Sequence, residues 1–149
     1  MTNKIIGIQG DKLDKINISS DTSIFLAHEA QTLGYKIFYY TPSNLSIIKN
    51  KTYANGVFVK LNYERKKFYK IYKKQKIDVE NFKFILIRQD PPFNSEYLIT
   101  TLILDNLKKT RVINNPVAIR NVSEKLYSKK FIKYMPDTIF SNNIEEVKK

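Results

Sequence analysis

The sequence predicts an α/β fold, an open and mostly parallel sheet with an antiparallel hairpin inserted at one edge. Three observations carry this expectation. Short apolar runs stopped by glycine, proline or charge alternate with longer stretches of helical period, the pattern of parallel crossovers. One stretch, Leu45 to Asn62, breaks the alternation with β-branched and aromatic runs separated by polar turns. The 149 residues are 42% hydrophobic and 13% aromatic, enough to bury the core of one ordinary domain.

The elements follow in order. "KIIGIQG" (Lys4 to Gly10) reads as a buried first strand. After the loop "DKLDKINISSD", the stretch "SSDTSIFLAHEAQTLG" has Ser and Asp as cap candidates, apolar Ile24, Ala27 and Leu33, and Gly34 as a stop, which predicts a helix. "YKIFYYTP" is a second strand ended by Pro42, and strand, helix and strand within so short a span make a parallel βαβ unit. Leu45 to Asn62 gives one or two antiparallel strands, with Asn55-Gly56 among the turn signals. "ERKKFYKIYKKQK" (Glu64 to Lys76) reads as an amphipathic helix with Phe68, Ile71 and Tyr72 inward at i, i+3 and i+4.

"FKFILIR" is the most apolar strand. "NSEYLITTLILDNLKK" is a helix capped by Ser95, with Leu98, Leu102 and Leu107 on its inner side. "TRVINNP" is a short strand stopped by Pro116, and "VAIRNVSEKLYSKKFIKYM" two short helical pieces. "DTIF" reads as a last strand. "SNNIEEVKK" opens a helix capped by Ser141, with Glu145 and Glu146 where the helix dipole favours acids. The chain stops about a turn into that helix, which suggests the first part of a longer protein.

The net charge of +12 invites a nucleic-acid partner, but lysine far outnumbers arginine, the residue suited to reading phosphates and guanine edges. Lys, Asn, Ile and Tyr are abundant together, as AT-rich coding produces, and most charge runs are solvated faces. No nucleic-acid partner is expected. There is no cysteine, which removes disulfides and thiolate metal sites and fits a reducing compartment. No apolar run approaches the roughly 20 residues that span a bilayer, and the N-terminus lacks a signal-peptide core. A cytoplasmic protein without a membrane partner is expected.

In open α/β sheets ligands bind beyond the carboxyl ends of the strands. Three segments reach that edge: Gln9-Gly10-Asp11, Arg88-Gln89-Asp90 and Asn114-Asn115-Pro116. Arg88 can grip a carboxylate or phosphate in bidentate fashion, backed by two prolines that stiffen its loop. Asp90 can hold Arg88 or cap the next helix, and a purely structural Arg88–Asp90 pair explains the spacing equally well. The one histidine, His28, sits mid-helix beside Glu29 and lacks partners for metal or nucleophilic chemistry. "GIQGDKLDK" has no third glycine and no immediate helix, so it is not a dinucleotide fingerprint. No catalytic and no metal-ligating residue is assigned.

The stretches "GIQGDKLDKINISSDTSIFLAHEAQTLGYKIFYY", "ILIRQDPPFNSEYLITTLIL" and "INNPVAIRNVSEKLYSKKF", in this order, resemble prokaryotic glutathione synthetase over essentially the whole chain. The resemblance implies a Rossmann-like pre-ATP-grasp substrate domain over residues 1–122 and the truncated start of the ATP-grasp region over residues 123–149. It implies a homo-oligomeric ligase in which ATP phosphorylates γ-glutamylcysteine and glycine attacks the acyl phosphate, with Mg2+ bridging the ATP phosphates. Lys125 matches the family's lysine for ATP phosphates, a mobile point charge. Arg88, Asp90 and the loop through Asn17, Ser19 and Ser23 match positions lining the cleft, here assigned to the peptide substrate. Asn114 and Asn115 shape their turn. The glycine-rich lid, second phosphate lysine, adenine pocket and metal-binding acids of such enzymes lie beyond Lys149, so these residues alone are expected to have no ligase activity. The alternative is a stand-alone basic binding module of the same fold, which salt-steep DNA binding would reveal. A related ligase joining other amino acids would lack the "DPPF" signature.

Overall fold

The computed structural model describes residues 4–62, 67–122 and 125–148. Its strands are β1 (Ile5–Gln9), β2 (Lys36–Tyr40), β3 (Leu45–Ile48), β4 (Lys51–Leu61), β5 (Tyr69–Asp78), β6 (Phe84–Ile87) and β7 (Arg111–Ile113). Its α-helices are α1 (Thr22–Thr32), α2 (Ser95–Asp105), α3 (Pro116–Asn121) and α4 (Ile144–Val147), with a kinked 3₁₀ segment over Leu126–Tyr134. Neighbouring β7, β6, β1 and β2 are parallel; β4 then pairs antiparallel with β2. Both β2 and β3 lie along one edge of β4, and β5 takes the other. The result is an α/β domain with a mostly parallel, Rossmann-like sheet carrying an antiparallel extension.

Strand alternation divides the core in two. Ile6, Ile8, Ile37, Tyr39, Val59 and Leu61 face α1, whose Ile24 and Ala27 close that side. Phe38, Tyr40, Phe58, Ile85 and Ile87 face the other way, with Phe82 and Leu104 of α2. Phe38 meets Phe58 edge-on at 5.1 Å and Phe82 at 5.4 Å, arrangements the aromatic quadrupole favours. Asp21 caps α1 by accepting from Ile24 N at 2.8 Å, and Gly34 ends it at φ +83°, a conformation that side chains resist. Gln31 of α1 pairs its amide with Leu61 N (2.8 Å) and O (3.0 Å), fastening the helix to the end of β4.

Several expectations are corrected. The basic stretch is a strand: β5 pairs with β4 from Tyr53↔Asp78 to Leu61↔Tyr69, Glu64 falling outside the described residues. Phe68 is buried as expected, but Ile71 and Tyr72 are 40% and 53% exposed. The short-range pattern suits either state; the long free edge of β4, which needs hydrogen-bond partners, decides it. Exposed Lys70, Lys73, Lys74 and Lys76 then charge the outermost strand, a common protection against edge-to-edge pairing. Tyr72 is the extra residue of a bulge opposite Phe58, and its ring stacks there at 5.8 Å.

The β3–β4 hairpin turns at Lys49–Asn50, both at positive φ as its two-residue loop requires, and not at Asn55-Gly56. Gly56 lies inside β4, where a Cβ would collide with the Tyr39 carbonyl oxygen and the Phe38 ring. Helix α2 is capped by Asn94, which accepts from Tyr97 N at 3.0 Å, not by Ser95. Its inner face is Tyr97, Thr100, Thr101 and Leu104 with Leu107 beyond, while Leu98 and Leu102 stand 38% and 46% exposed. The threonine hydroxyls can be buried because they donate to Tyr97 O and Leu98 O within the helix. Residues 137–140 form no strand, since no neighbour offers them a ladder. Asn143, not Ser141, caps α4, accepting from Glu145 N at 3.1 Å.

Candidate functional site

The carboxyl ends of β1, β2, β6 and β7 share one edge, and three of them build a corner. Arg88 N donates to Gln9 O at 2.7 Å, extending the β1–β6 ladder by one residue. Beyond it, buried Gln9 donates through Nε2 to Gln89 Oε1 at 2.5 Å. Asp90 N donates to Asp11 Oδ2 at 2.9 Å, and the Tyr39 hydroxyl donates to Asp11 O at 2.7 Å. The turn then runs through the cis Pro91–Pro92 bond to the Asn94 cap of α2.

The Arg88 guanidinium turns back toward the start of α1. Its Nε donates to Ser23 Oγ at 2.9 Å and its Nη2 to Thr22 Oγ1 at 2.8 Å. Ser23 is buried, so one anchor is fixed by packing. The structural Arg88–Asp90 ion pair left open by the sequence does not form, and Asp90 does not cap α2; Asn94 does. Asp90 instead ties its backbone to the Asp11 carboxylate.

A cavity of about 290 Å³ opens here, lined by Asp11, Asn17, Ser23, Tyr39, Arg88 and Asp90 among others. Burial pushes the Tyr39 hydroxyl well above the ordinary tyrosine range, and Asp21, Asp11 and Asp90 push it in the same direction. The Tyr97 hydroxyl is raised too, by burial first; Arg88 opposes this and Asp11 and Asp90 add to it. Both phenols therefore stay neutral donors beside the corner at neutral pH.

Of the expected site residues, Asn17, Ser23, Arg88 and Asp90 share this cavity. Ser19 does not line it: its Oγ and N both donate to Asn17 Oδ1, at 2.7 and 3.2 Å, which shapes the loop. Lys125 lies elsewhere, on an apolar hollow of about 580 Å³ with Phe93, Tyr97, Ile119 and Val122. Pro91 lines that hollow and Asp90 the polar cavity, so the proline turn separates them. Asn114 borders the hollow after a cis Ile113–Asn114 bond, and Asn115 caps α3 by accepting from Ala118 N at 3.0 Å. Arg120 bonds Asp105 at 2.7 Å and joins α3 to α2. Sequence reasoning missed Thr22 and Tyr39, and placed Asp11 at the ligand edge without giving it a role. Thr22 beside Ser23 at a helix start was the available signal; Tyr39 carried none, because a strand-end tyrosine reads as core.

The sequence profile described as "Prokaryotic glutathione synthetase, N-terminal domain" matches residues 5–120. The chain belongs to this family. It is 36% identical over 143 residues to the glutathione synthetase of Mesorhizobium japonicum, covering 95% of this chain and 46% of that protein. With the glutathione synthetase of Agrobacterium fabrum it shares 33% over 145 residues, 97% of this chain and 46% of the relative. With that of Buchnera aphidicola it shares 34% over 145 residues, 96% and 45% respectively. The chain thus spans about half the length of the curated relatives it matches. In this glutathione synthetase N-terminal domain, the corner at Arg88 is a hydrogen-bonded polar feature of the expected ligand edge. Among the described residues, no group of three or more acidic, histidine or cysteine side chains is placed to hold a metal ion. No helix among them is long and apolar enough to cross a membrane.

Proposed function

We propose that this chain serves as the peptide-binding half of a glutathione synthetase, the ligase that joins γ-glutamylcysteine and glycine at the expense of ATP. The observation that carries the reading is the Arg88 corner: a guanidinium held by Ser23 and Thr22 over a polar cavity, at the carboxyl edge of the sheet, in a chain of this family. Residues 1–122 form the substrate domain, and residues 123–149 begin the ATP-grasp region. Arg88 and Asp90 meet the peptide, with Asn17, Ser19 and Ser23 shaping the loop opposite. Lys125, across the proline turn, serves the ATP phosphates as a point charge.

The substrate carboxylate takes the γ-phosphoryl group of ATP, with ADP leaving, and the glycine amine attacks the resulting acyl phosphate, releasing phosphate and a proton. This chain's residues bind and orient the peptide and supply one cation, Lys125, to the phosphates; the rest of the charge neutralisation belongs to groups outside it. Assembly of copies is part of the same proposal.

A chimaera tests the reading. Substituted for the matching N-terminal residues of a related glutathione synthetase, the chain is expected to support ATP-dependent glutathione formation, whereas the 149 residues alone form none. A folded chimaera without activity, or turnover by the chain alone, overturns it.

A further inference from the structure

Charge is unevenly spread along this chain. Residues 49–77, from the β3–β4 turn almost to the end of β5, hold ten of the 26 lysines and arginines but one of the 14 acids, a net +9 of the chain's +12. A coding bias towards lysine acts along the whole chain and does not clear acids from one extension of the sheet. The expectation against a nucleic-acid partner treats the lysine-rich stretch as a helix with Ile71 and Tyr72 inward; as a strand it shows both to solvent.

Residues directly opposite in a ladder share a face of the sheet. Lys74 and Lys76, paired with Val57 and Asn55, stand on the α1 side; Lys70 and Lys73, paired with Lys60 and Phe58, stand on the other. These exposed cations wrap both sides of a sheet edge, and among the described residues none of them is ion-paired. A flat anionic surface meets one side of such an edge, whereas a flexible chain of phosphates can follow both. Lys74 and Lys76 repeat at about 6.8 Å along the strand, close to the step between phosphates of an extended single strand.

At the Tyr69 end, a hollow of about 280 Å³ is lined by Lys60, Lys67 and Lys70 with Phe68 and Tyr69, and by no carboxylate among the described residues. Lys67 lies 5.0 Å from the Tyr69 ring centroid and Lys76 5.2 Å from that of Tyr53, so cations sit beside rings at both ends of the strand. Between them Tyr72, stacked on Phe58 at 5.8 Å and 53% exposed, is a fixed platform for a base. Lysine suffices here because a phosphate backbone needs only point charges; arginine matters for reading bases.

We propose that the lysine-covered β4–β5 edge binds single-stranded nucleic acid without sequence preference, its cations on phosphates and Tyr72 stacked on a base. The same lysines that keep copies of the edge apart attract this polyanion. The proposal does not depend on the ligase reading.

Fluorescence anisotropy tests it, with a labelled oligouridylate of about 20 nucleotides titrated with the whole chain over a salt series. Each phosphate neutralised on a single strand contributes about −0.7 to the slope of log K against log salt, so about four to six contacts give roughly −3 to −4. Lys73→Gln with Lys74→Gln should weaken binding several-fold and make the slope shallower by about 1.4. Tyr72→Ala should weaken binding about fivefold or more with the slope unchanged, as loss of one stacked base does. Lys36→Gln with Lys83→Gln removes the same charge from exposed positions off this edge and should leave affinity and slope nearly as they are. The proposal is overturned by no binding at low salt, or by equal losses in the two lysine pairs. An unchanged slope in the Lys73 and Lys74 variant, full affinity in Tyr72→Ala, or tighter binding to phosphatidylserine vesicles than to the oligonucleotide overturns it too.

Discussion

Glu80 offers the sharpest test of how the edge of the sheet is held. Its carboxylate lies at the turn between β5 and β6 and accepts three backbone N–H groups from the loop before β7: Lys108 at 2.7 Å on Oε1, Lys109 at 2.9 Å and Thr110 at 2.8 Å on Oε2. Partial burial, the largest single influence, pushes the Glu80 pKa up. The N–H groups of Lys108, Thr110 and Lys109, with the Lys109 charge, outweigh it and hold the pKa below its ordinary 4.5. In Glu80→Gln one oxygen remains, and the amide NH2 must face backbone donors. A hydrogen bond to a charged group contributes about 1.5–3 kcal/mol. The half-open carboxylate is screened by solvent, so the expected loss for the whole cluster is only about 1–2 kcal/mol. For a domain of this size that lowers Tm by roughly 2–8 °C. Because the folded pKa is depressed, the stabilisation is complete above pH 4.5 and fades as the pH falls through the folded value. Urea unfolding of both proteins at neutral pH and at descending acid pH measures it. A gap that persists undiminished in acid, or no gap at neutral pH, refutes the account.

Two further outcomes follow from packing. Gly56→Ala places a Cβ against the Tyr39 carbonyl oxygen and the Phe38 ring, and since backbone cannot yield cheaply, it should cost about 1–3 kcal/mol in chemical denaturation. Wild-type stability would show that β4 sits farther from β2. The Tyr40 hydroxyl is fully buried with no partner among the described residues, and burial alone drives its pKa far upward, so it stays neutral through ordinary alkaline conditions. Tyr40→Phe should therefore leave stability unchanged or raise it by about 1 kcal/mol. A clear loss on thermal melting would reveal a bond to that oxygen.

The site was legible in part. Arg88, placed at a strand end before two prolines, is visible because an apolar run and its breaker are neighbours in sequence. What Arg88 holds is not visible, since Ser23 and Thr22 lie 65 and 66 residues away. Asp90 and Asp11, 79 apart, meet for the same reason. Ser19 lies outside the cavity, bonded to Asn17, because an exposed serine can satisfy its own loop as readily as a ligand.

The sequence by itself determined the parallel βαβ order, the stop at Gly34, the strands before Pro42 and Arg88 and the proline-backed turn. Each rests on contacts within a few residues, where periodicity and turn chemistry speak directly. Only the tertiary structure decided that the lysine-rich stretch becomes the edge strand, that α2 buries threonines and shows leucines to solvent, and that residues 137–140 stay unpaired. Those outcomes depend on which distant backbone offers hydrogen bonds and which face has room, and a local pattern holds neither.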